Sequence, residues 1–322
     1  MSDVPFYKRL YHLFKSDKPQ TEQTPRTEQA KQKPKSKVVD YGLLNLAEGD
    51  NPIVDIIAIH GLDGHRLDAW TETESKAMWL REFLPEDIPR ARILTYGYDA
   101  DTRSSEFTST NTIQRHAMGF MQAVERARKG VERRPIIFLA HSLGIILKQA
   151  LVLCQIQPEG RPLRGILTST HAVLFFGTPH SGSEGVPFLQ VLNQLLSVYM
   201  QTNNRVLQHL RENSEALENI QATFTQASAG LHIVYFYEEY ATPLIGGQRR
   251  VIVPHHSAVV SGDPNALEVS LAADHVKMVK YPSKDAVNYQ TVLYYLREEV
   301  ESANAAVEKK WRRVDAQRSA AP

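Results

Sequence analysis

A serine, a carboxylate and a histidine occur in that order along this sequence, and these are the side chains that hydrolyse acyl bonds by nucleophilic catalysis. Ser142 lies within Pro135–Ala150, where five apolar residues precede His-Ser-Leu-Gly and a helical pattern follows. Glu238 comes directly after the apolar segment Leu231–Tyr237, and His275 lies farther along the chain. We therefore interpret Ser142 as a nucleophile, His275 as its base and Glu238 as the acid that orients the base.

The residues around Ser142 fit a sharp turn from a strand into a helix. A nucleophilic serine at such a turn has a strained backbone, so the residues two before and two after it must be small. Ala140 and Gly144 occupy those positions, in the pattern A-x-S-x-G. The alternative is an ordinary loop in which Ser142 caps the following helix.

The composition is that of a folded α/β domain with polar extensions. The chain has 322 residues, of which 42% are hydrophobic and 23% charged, and its net charge of +1 gives no reason to expect a nucleic-acid partner. The single cysteine, Cys154, lies on the apolar face of a predicted helix and cannot form a disulfide within the chain. No segment has the length and hydropathy of a membrane span or of a signal peptide. We expect an intracellular protein, soluble in the cytoplasm or peripheral on a membrane.

Four regions are predicted along the chain. Residues 1–15 have the spacing of a short basic amphipathic helix, which either lies on an anionic membrane surface or docks on the protein itself. Residues 16–37 are polar and proline-containing, as in a flexible linker. Residues 38–302 form the catalytic domain, with an insertion at 185–228, and residues 303–322 form a charged tail. A mitochondrial targeting role for the first segment is a further alternative.

Strands alternate with helices from residue 38 onward, which predicts a mostly parallel sheet covered by helices on both faces. The predicted strands are residues 41–46, 53–59, 91–98, 136–140, 172–176 and 231–237. Functional sites in such sheets lie at the carboxyl ends of the strands. Ser142 and Glu238 each follow a strand, so we expect their side chains to meet at one edge of the sheet.

An oxyanion hole is expected at the same edge. Leu62 follows the strand that ends in His60-Gly61, and Leu143 follows the serine. In a nucleophile elbow, the N–H group after the serine and a second N–H group from a nearby loop stabilise the developing negative charge, each by about 3 kcal/mol. We therefore predict that the amides of Leu62 and Leu143 bind the oxyanion.

Six motifs in order resemble the serine-esterase branch of the α/β-hydrolase superfamily. They are HGLDGH, AHSLG, GTPHSGS, FYE, VPHHSAV and ADHVKM, and they cover roughly Tyr41 to Leu296. The sequence is similar to fungal lipase-like domains and to serine-active-site-containing proteins linked to phospholipid remodelling. This resemblance implies an α/β-hydrolase fold with Ser142 as nucleophile, His275 as base and the Leu62 and Leu143 amides as oxyanion hole. It implies no cofactor.

The predicted triad departs from the pattern of related lipases at the acid. Related lipases carry it just before the VP motif, where this chain has Arg250. The chain order of nucleophile, acid and base is that of the α/β hydrolases and favours Glu238. Competing carboxylates and histidines remain open: Glu239, Asp263 and Asp285 for the acid, and His180 and His256 for the base. Asp274 is adjacent to His275, and adjacent side chains diverge.

No metal site is predicted. His60, Asp63 and His65 lie close together in sequence, but their spacing matches no standard ligand set. A turn beneath the oxyanion hole explains them better.

The insertion at 185–228 gives the expected substrate class. Val186–Tyr199 is rich in apolar residues and a polar helix, Asn204–Ile220, follows it. We interpret the pair as a cap over Ser142, with a helix pair that covers the sheet as the alternative. An apolar cap and an amphipathic first segment favour a lipid acyl ester delivered from a mitochondrial or endoplasmic reticulum membrane. The competing function is a catalytically inactive signalling or effector module that only binds its ligand.

Overall fold

Seven strands of the described chain form the central sheet of this computed structural model. The structure describes residues 41–61, 64–98, 110–142, 144–180, 188–199, 214–244, 247–260 and 266–320. The predicted amphipathic segment 1–15 and linker 16–37 lie outside these residues. The sheet strands are β1 (Gly42–Ala47), β2 (Val54–Ile59), β3 (Ala91–Gly97), β4 (Ile136–His141), β5 (Thr170–Phe176), β6 (His232–Glu238) and β9 (Ala266–Leu271).

The sheet is mostly parallel, as predicted. Its strand order is β1-β3-β2-β4-β5-β6-β9, and only β1 runs antiparallel to its neighbour among these seven strands. Two short strands, β7 (Thr242–Pro243) and β8 (Arg249–Arg250), pair separately. Because the central strands run the same way, the residues that follow β2, β4, β5 and β6 meet at one edge of the sheet.

The central strands are buried on both faces, which explains their continuous apolar sequences. Every residue of β2, β4 and β5 is buried. Alternate residues belong to two separate hydrophobic layers: Phe138 and Phe175 point to one, Leu139 and Leu174 to the other. The sheet therefore needs helices on each face to exclude water.

Nine α-helices of the described chain meet this requirement. They are α1 (Trp79–Glu82), α2 (Leu84–Asp87), α3 (Thr110–Ala127), α4 (Ile145–Gln155), α5 (Pro162–Ser169), α6 (Phe188–Tyr199), α7 (Ser214–Ala227), α8 (His255–Ala258) and α9 (Val287–Ala320). Buried side chains of α3 to α7 pack in the layer of Phe138, and those of α1, α2 and α9 in the layer of Leu139. None of the described helices has the combination of length and hydropathy that crossing a bilayer requires.

The predicted cap insertion contributes helices α6 and α7. Their buried residues Val191, Leu195, Ile220 and Phe224 belong to the same hydrophobic layer as α4. These apolar side chains therefore cover the domain, as in the helix-pair alternative. Residues 200–213, which include most of the predicted polar helix, lie outside the described part of the chain.

The segment from residue 303, which we expected to be a charged tail, is the second half of helix α9 up to Ala320. Ala303, Val307 and Trp311 are buried. The Trp311 indole donates a hydrogen bond to Ser169 Oγ at 3.0 Å. Since these three residues are four apart, they form one apolar stripe on an otherwise charged helix, and that stripe packs on the domain.

Candidate active site

Ser142 lies in the sharp turn between β4 and α4 that its sequence predicted. Its φ is +61°, a value that non-glycine residues rarely adopt. The Ser142 amide donates to the carbonyl of Phe176 at 2.9 Å, which ties the turn to the end of β5. Residues held in such strained conformations cluster at functional sites.

Two glycines make room for this turn. A Cβ on Gly61 would lie 2.4 Å from Ser142 Cβ, far inside van der Waals contact. A Cβ on Gly144, where φ is +55°, would lie 2.8 Å from Thr178 Cγ2. The small residues of the HG and A-x-S-x-G motifs are thus required by close packing around the serine.

The structure brings Glu238 and His275 into contact. Glu238 Oε2 lies 2.7 Å from His275 Nδ1, and both side chains are fully buried. The other carboxylate oxygen, Oε1, accepts hydrogen bonds from the amides of Ile252 and, at 3.1 Å, Val253. An ionised carboxylate only accepts hydrogen bonds, so this contact favours a proton on Nδ1; a neutral imidazole in that tautomer has its free lone pair on Nε2. That is the tautomer a general base requires.

The backbone of His275 is held at both of its polar groups. Its amide donates to Thr242 Oγ1 at 3.1 Å, and its carbonyl lies 2.9 Å from His141 Nε2. Burial, and then the proximity of His275, lower the pKa of His141 to about 3. His141 is therefore neutral and donates this hydrogen bond from Nε2.

Ser142 Oγ and His275 Nε2 are both buried, and neither has a hydrogen-bond partner in the described chain. The hydrogen bond between them is thus not formed in this structure. The imidazole packs against the turn after β5, since a Cβ on Gly177 would lie 2.8 Å from His275 Nδ1. Ser142 is bonded to Phe176, the residue before that glycine. Catalytic hydrogen bonds are often long before substrate binds.

Leu62 and Leu143 lie outside the described residues, so their predicted oxyanion role stays a prediction. Their described neighbours are in contact, because Gly61 packs directly on the Ser142 side chain.

Among the described residues, none of the competing carboxylates pairs with His275. Glu239 is exposed, and so is Asp285. Asp274 Oδ1 accepts hydrogen bonds from the amides of Val276 and Lys277, the turn that follows it. Asp263 lies outside the described residues.

The two competing histidines have different surroundings from His275. His180 packs between the rings of Phe175 and Tyr235, and burial, followed by repulsion from Lys148, holds its pKa well below the ordinary value. His256 is exposed on helix α8.

His60 and His65 organise the turn after β2. His60 Nδ1 lies 2.8 Å from the Gly61 carbonyl and its ring stacks on Tyr98 at 4.5 Å. Burial lowers the pKa of His60 to about 4. His65 Nδ1 accepts a hydrogen bond from the Leu67 amide at 3.3 Å. Asp63 lies outside the described residues.

Sequence reasoning missed the residues that hold the acid and the base in place. The VP motif follows the position where related lipases carry their acid, and Arg250 there is exposed. In this chain the amides of Ile252 and Val253 instead bind the carboxylate of Glu238, which comes from β6. The motif was the available signal, because in the related lipases it follows the acid, and here the amides of its first residue and of the residue before it bind Glu238.

A cavity of about 550 Å³ lies next to the segment that carries His275, whose own side chain is fully buried and is not part of the cavity lining. Its lining includes Thr242, Asp274 and Val276 around the histidine, and Val198 from helix α6. Small-molecule sites commonly have volumes of about 300–1,000 Å³. Most of the other residues that line this cavity are polar or charged, among them Glu72, Glu74, Lys277 and Lys280.

Comparison with known proteins gives relatives over most of this chain. No family model matches it. It is 26% identical to Protein SERAC1 of Homo sapiens over 267 residues, which are 76% of this chain and 38% of that protein. The same protein of Danio rerio is 26% identical over 268 residues, 76% of this chain and 39% of the relative. The chain thus spans about two fifths of the length of these relatives.

Solved structures with a similar arrangement include several hydrolases. The metagenome-derived lipolytic enzymes LipS and LipT give a TM-score of 0.43 at 11% identity, covering 82% of this chain and 98% of theirs. The esterase domain of a Rhodothermus marinus protein gives 0.43 at 14% identity, covering 81% and 90%. Because these scores are below 0.5, no conclusion about activity follows from them. The sheet order and the elbow after β4 give the chain an α/β-hydrolase fold, as predicted.

Proposed function

We propose that this chain is a serine hydrolase that cleaves carboxylic esters of acyl lipids, or transfers their acyl group, through an acyl-enzyme. The observation that carries the proposal is the buried pair of Glu238 and His275. The other ring nitrogen of His275, Nε2, has no hydrogen-bond partner among the described residues, and neither has Ser142 Oγ. Buried polar atoms are nearly always hydrogen-bonded. Two orphaned atoms of complementary chemistry at one sheet edge fit a site that is completed by substrate.

The steps follow from the roles of these residues. His275 Nε2 takes the proton from Ser142 Oγ as that oxygen attacks the ester carbonyl, and the oxyanion is bound by the predicted amides of Leu62 and Leu143. His275 then gives the proton to the leaving alcohol, which leaves an acyl-serine. Water, or a second lipid alcohol, then loses its proton to His275 and attacks the acyl carbonyl. The bond between the acyl group and Ser142 Oγ breaks, the carboxylic acid or the new ester leaves, and His275 returns the proton to Ser142 Oγ. Glu238 stabilises the imidazolium of His275 in both halves of the reaction, the formation and the breakdown of the acyl-serine.

Labelling with a fluorophosphonate probe tests the nucleophile. The wild-type chain should be labelled, and Ser142→Ala should not be, with an unchanged circular dichroism spectrum. Ser257→Ala is a matched control, because Ser257 is also fully buried with an unpartnered hydroxyl in the described chain. Labelling that survives in Ser142→Ala would contradict the assignment.

The acyl-lipid part of the proposal is supported by the apolar sequence of helix α6, whose Val198 reaches the mostly polar cavity next to the segment of His275. A series of p-nitrophenyl esters from acetate to palmitate should give the highest kcat/KM at eight carbons or longer. A maximum at acetate would contradict the lipid substrate and leave the hydrolase proposal standing.

Membrane contact through residues 1–15 and an organelle location remain proposals. Deletion of residues 1–15 should reduce co-sedimentation with vesicles that contain anionic phospholipid, and should leave probe labelling unchanged. Equal sedimentation of both forms would contradict the membrane role.

A second candidate function is a binding or effector module without catalysis. It is favoured by one observation: Ser142 is fully buried and its hydroxyl is not bonded to His275. A folded wild-type chain that takes up no probe and hydrolyses no ester in the series would support this candidate over the enzyme.

A further inference from the structure

Three potential metal ligands meet at the edge of the sheet opposite to Ser142. His171 is the second residue of β5 and His232 is the first residue of β6, so both lie where these strands begin. Glu299 reaches them from helix α9. At about 3.3 Å per residue, His171 lies roughly 16 Å along β5 from Phe176, the strand end that contacts the serine turn.

The nitrogen and oxygen atoms of this cluster converge on one point, and His171 Nε2 also lies 3.0 Å from Ser302 Oγ, a hydrogen bond that a bound metal would replace. Glu299 Oε2 lies 2.9 Å from His171 Nε2 and 3.2 Å from His232 Nδ1, and all three atoms lie within 4.8 Å of one another. Although it is this close to two ring nitrogens, the buried Oε2 accepts a hydrogen bond from neither of them. A buried carboxylate oxygen left without a donor is unusual and calls for a further partner.

The types and spacing of these ligands fit a zinc-class ion. Two imidazoles and one carboxylate form a common zinc ligand set, and bonds of about 2.0–2.1 Å place tetrahedral ligands about 3.3 Å apart. The His232 side chain is 52% exposed, whereas those of His171 and Glu299 are buried. One side of the cluster is therefore open to solvent, from which a water molecule can supply the fourth ligand.

We propose that His171, His232 and Glu299 bind one Zn²⁺ ion, which joins helix α9 to the first residues of β5 and β6. Sequence reasoning expected no metal, because the spacing of His60, Asp63 and His65 matches no standard ligand set. The residues of the present cluster are spread over more than a hundred positions and form no local motif. The site is separate from the proposed hydrolase centre, so its role is to hold the carboxyl-terminal helix on the sheet. It does not depend on the proposed function.

Metal binding by the whole chain tests this proposal. Protein stripped with a chelator should take up one Zn²⁺ per chain in equilibrium dialysis, and Co²⁺ in its place should give the d–d absorption of a tetrahedral site. His232→Ala should weaken Zn²⁺ binding at least about tenfold, the scale of losses at metal sites. Because the His232 side chain is half exposed, this substitution leaves no cavity. Zn²⁺ should also raise the Tm of the wild type more than that of His232→Ala.

His255→Ala is the matched control. His255 is equally exposed, at 51%, and pairs with a single carboxylate, Glu268, at 3.0 Å, without a third ligand among the described residues. The Zn²⁺ affinity of the His255→Ala variant should equal that of the wild type. Three results would each overturn the proposal: no stoichiometric Zn²⁺ in the folded wild type, unchanged affinity in His232→Ala, or an equal loss in His255→Ala.

Discussion

His141 Nε2 donates a hydrogen bond to the carbonyl of His275 at 2.9 Å. The residue directly before the proposed nucleophile thus holds the backbone of the proposed base, although the two are 134 positions apart in sequence. Since burial keeps His141 neutral, with a pKa of about 3, the donor does not change its charge at working pH. The two halves of the site are therefore positioned relative to each other by a side chain that takes no part in the chemistry.

Replacing His141 should slow catalysis by misplacing His275. His141→Leu removes the donor, and a hydrogen bond contributes about 0.5–1.5 kcal/mol, so kcat should fall up to about tenfold with little change in KM. Gln can present an N–H group near the position of Nε2, and His141→Gln should restore part of the rate. Equal rates for the Leu variant and the wild type, measured with p-nitrophenyl esters, would contradict this role.

Glu238 and its neighbour Glu239 offer a direct test of the acid. Glu238→Gln leaves a side chain of the same shape but permits the wrong tautomer of His275, so kcat should fall by about 10³–10⁴. Glu239→Gln, on the exposed side of the same segment, should retain the wild-type kcat. A larger loss in Glu239→Gln than in Glu238→Gln would reverse the assignment.

Gly177 should be essential because it packs on His275. At φ +55°, an alanine there is strained, and its Cβ would lie 2.8 Å from His275 Nδ1. Gly130 also has a positive φ, +86°, but a Cβ there meets nothing within 4 Å. Both alanine variants should lose about 1 kcal/mol of stability to backbone strain, whereas only Gly177→Ala should also lose ester hydrolysis. Urea unfolding and kcat, measured on both variants, separate the two effects.

Asp55 is the centre of a buried charge cluster at the start of β2. Arg92 donates to both of its carboxylate oxygens at 2.8 Å, Arg134 donates to one at 3.1 Å, and Arg128 makes a further short contact. Asp55→Asn leaves three guanidinium groups without their counter-charge and should cost about 3–5 kcal/mol in urea unfolding. Asp315→Asn removes the partner of the exposed Arg133 and should leave stability unchanged within error.

Acidification should destabilise the fold through its buried histidines. The pKa of His60 is about 4 in the folded chain and 6.5 as its ordinary value, so the unfolded state binds the proton first. The stability due to neutral His60 is complete above pH 6.5 and is lost as the pH falls towards 4; between pH 7 and pH 5 the loss should be about 2 kcal/mol. His60→Gln should show a correspondingly shallower decrease in its free energy of unfolding. Identical pH slopes for the two proteins would show that His60 does not contribute.

The sequence by itself determined the central strands, the turn at Ser142 and the α/β-hydrolase fold. These follow from local patterns, because fully buried parallel strands must be continuously apolar and the turn needs small residues around the serine. Strand β9 was missed, since it lies at the edge of the sheet and mixes Glu268 and an exposed Leu267 with its apolar residues. The helical end of α9 was missed because its apolar stripe is diluted by charged residues.

Only the tertiary structure decided which side chains meet. Side chains of adjacent residues in an extended chain point in opposite directions, so Glu238 and Glu239 cannot both face His275. Which of them does so depends on the position of His275, and this histidine follows β9, which pairs with β6. Two further contacts join segments that are distant in sequence. One is the hydrogen bonding of backbone amides to Glu238, and the other is the cluster of His171, His232 and Glu299. Local patterns specify which elements form, whereas contacts between them depend on how the sheet orders its strands.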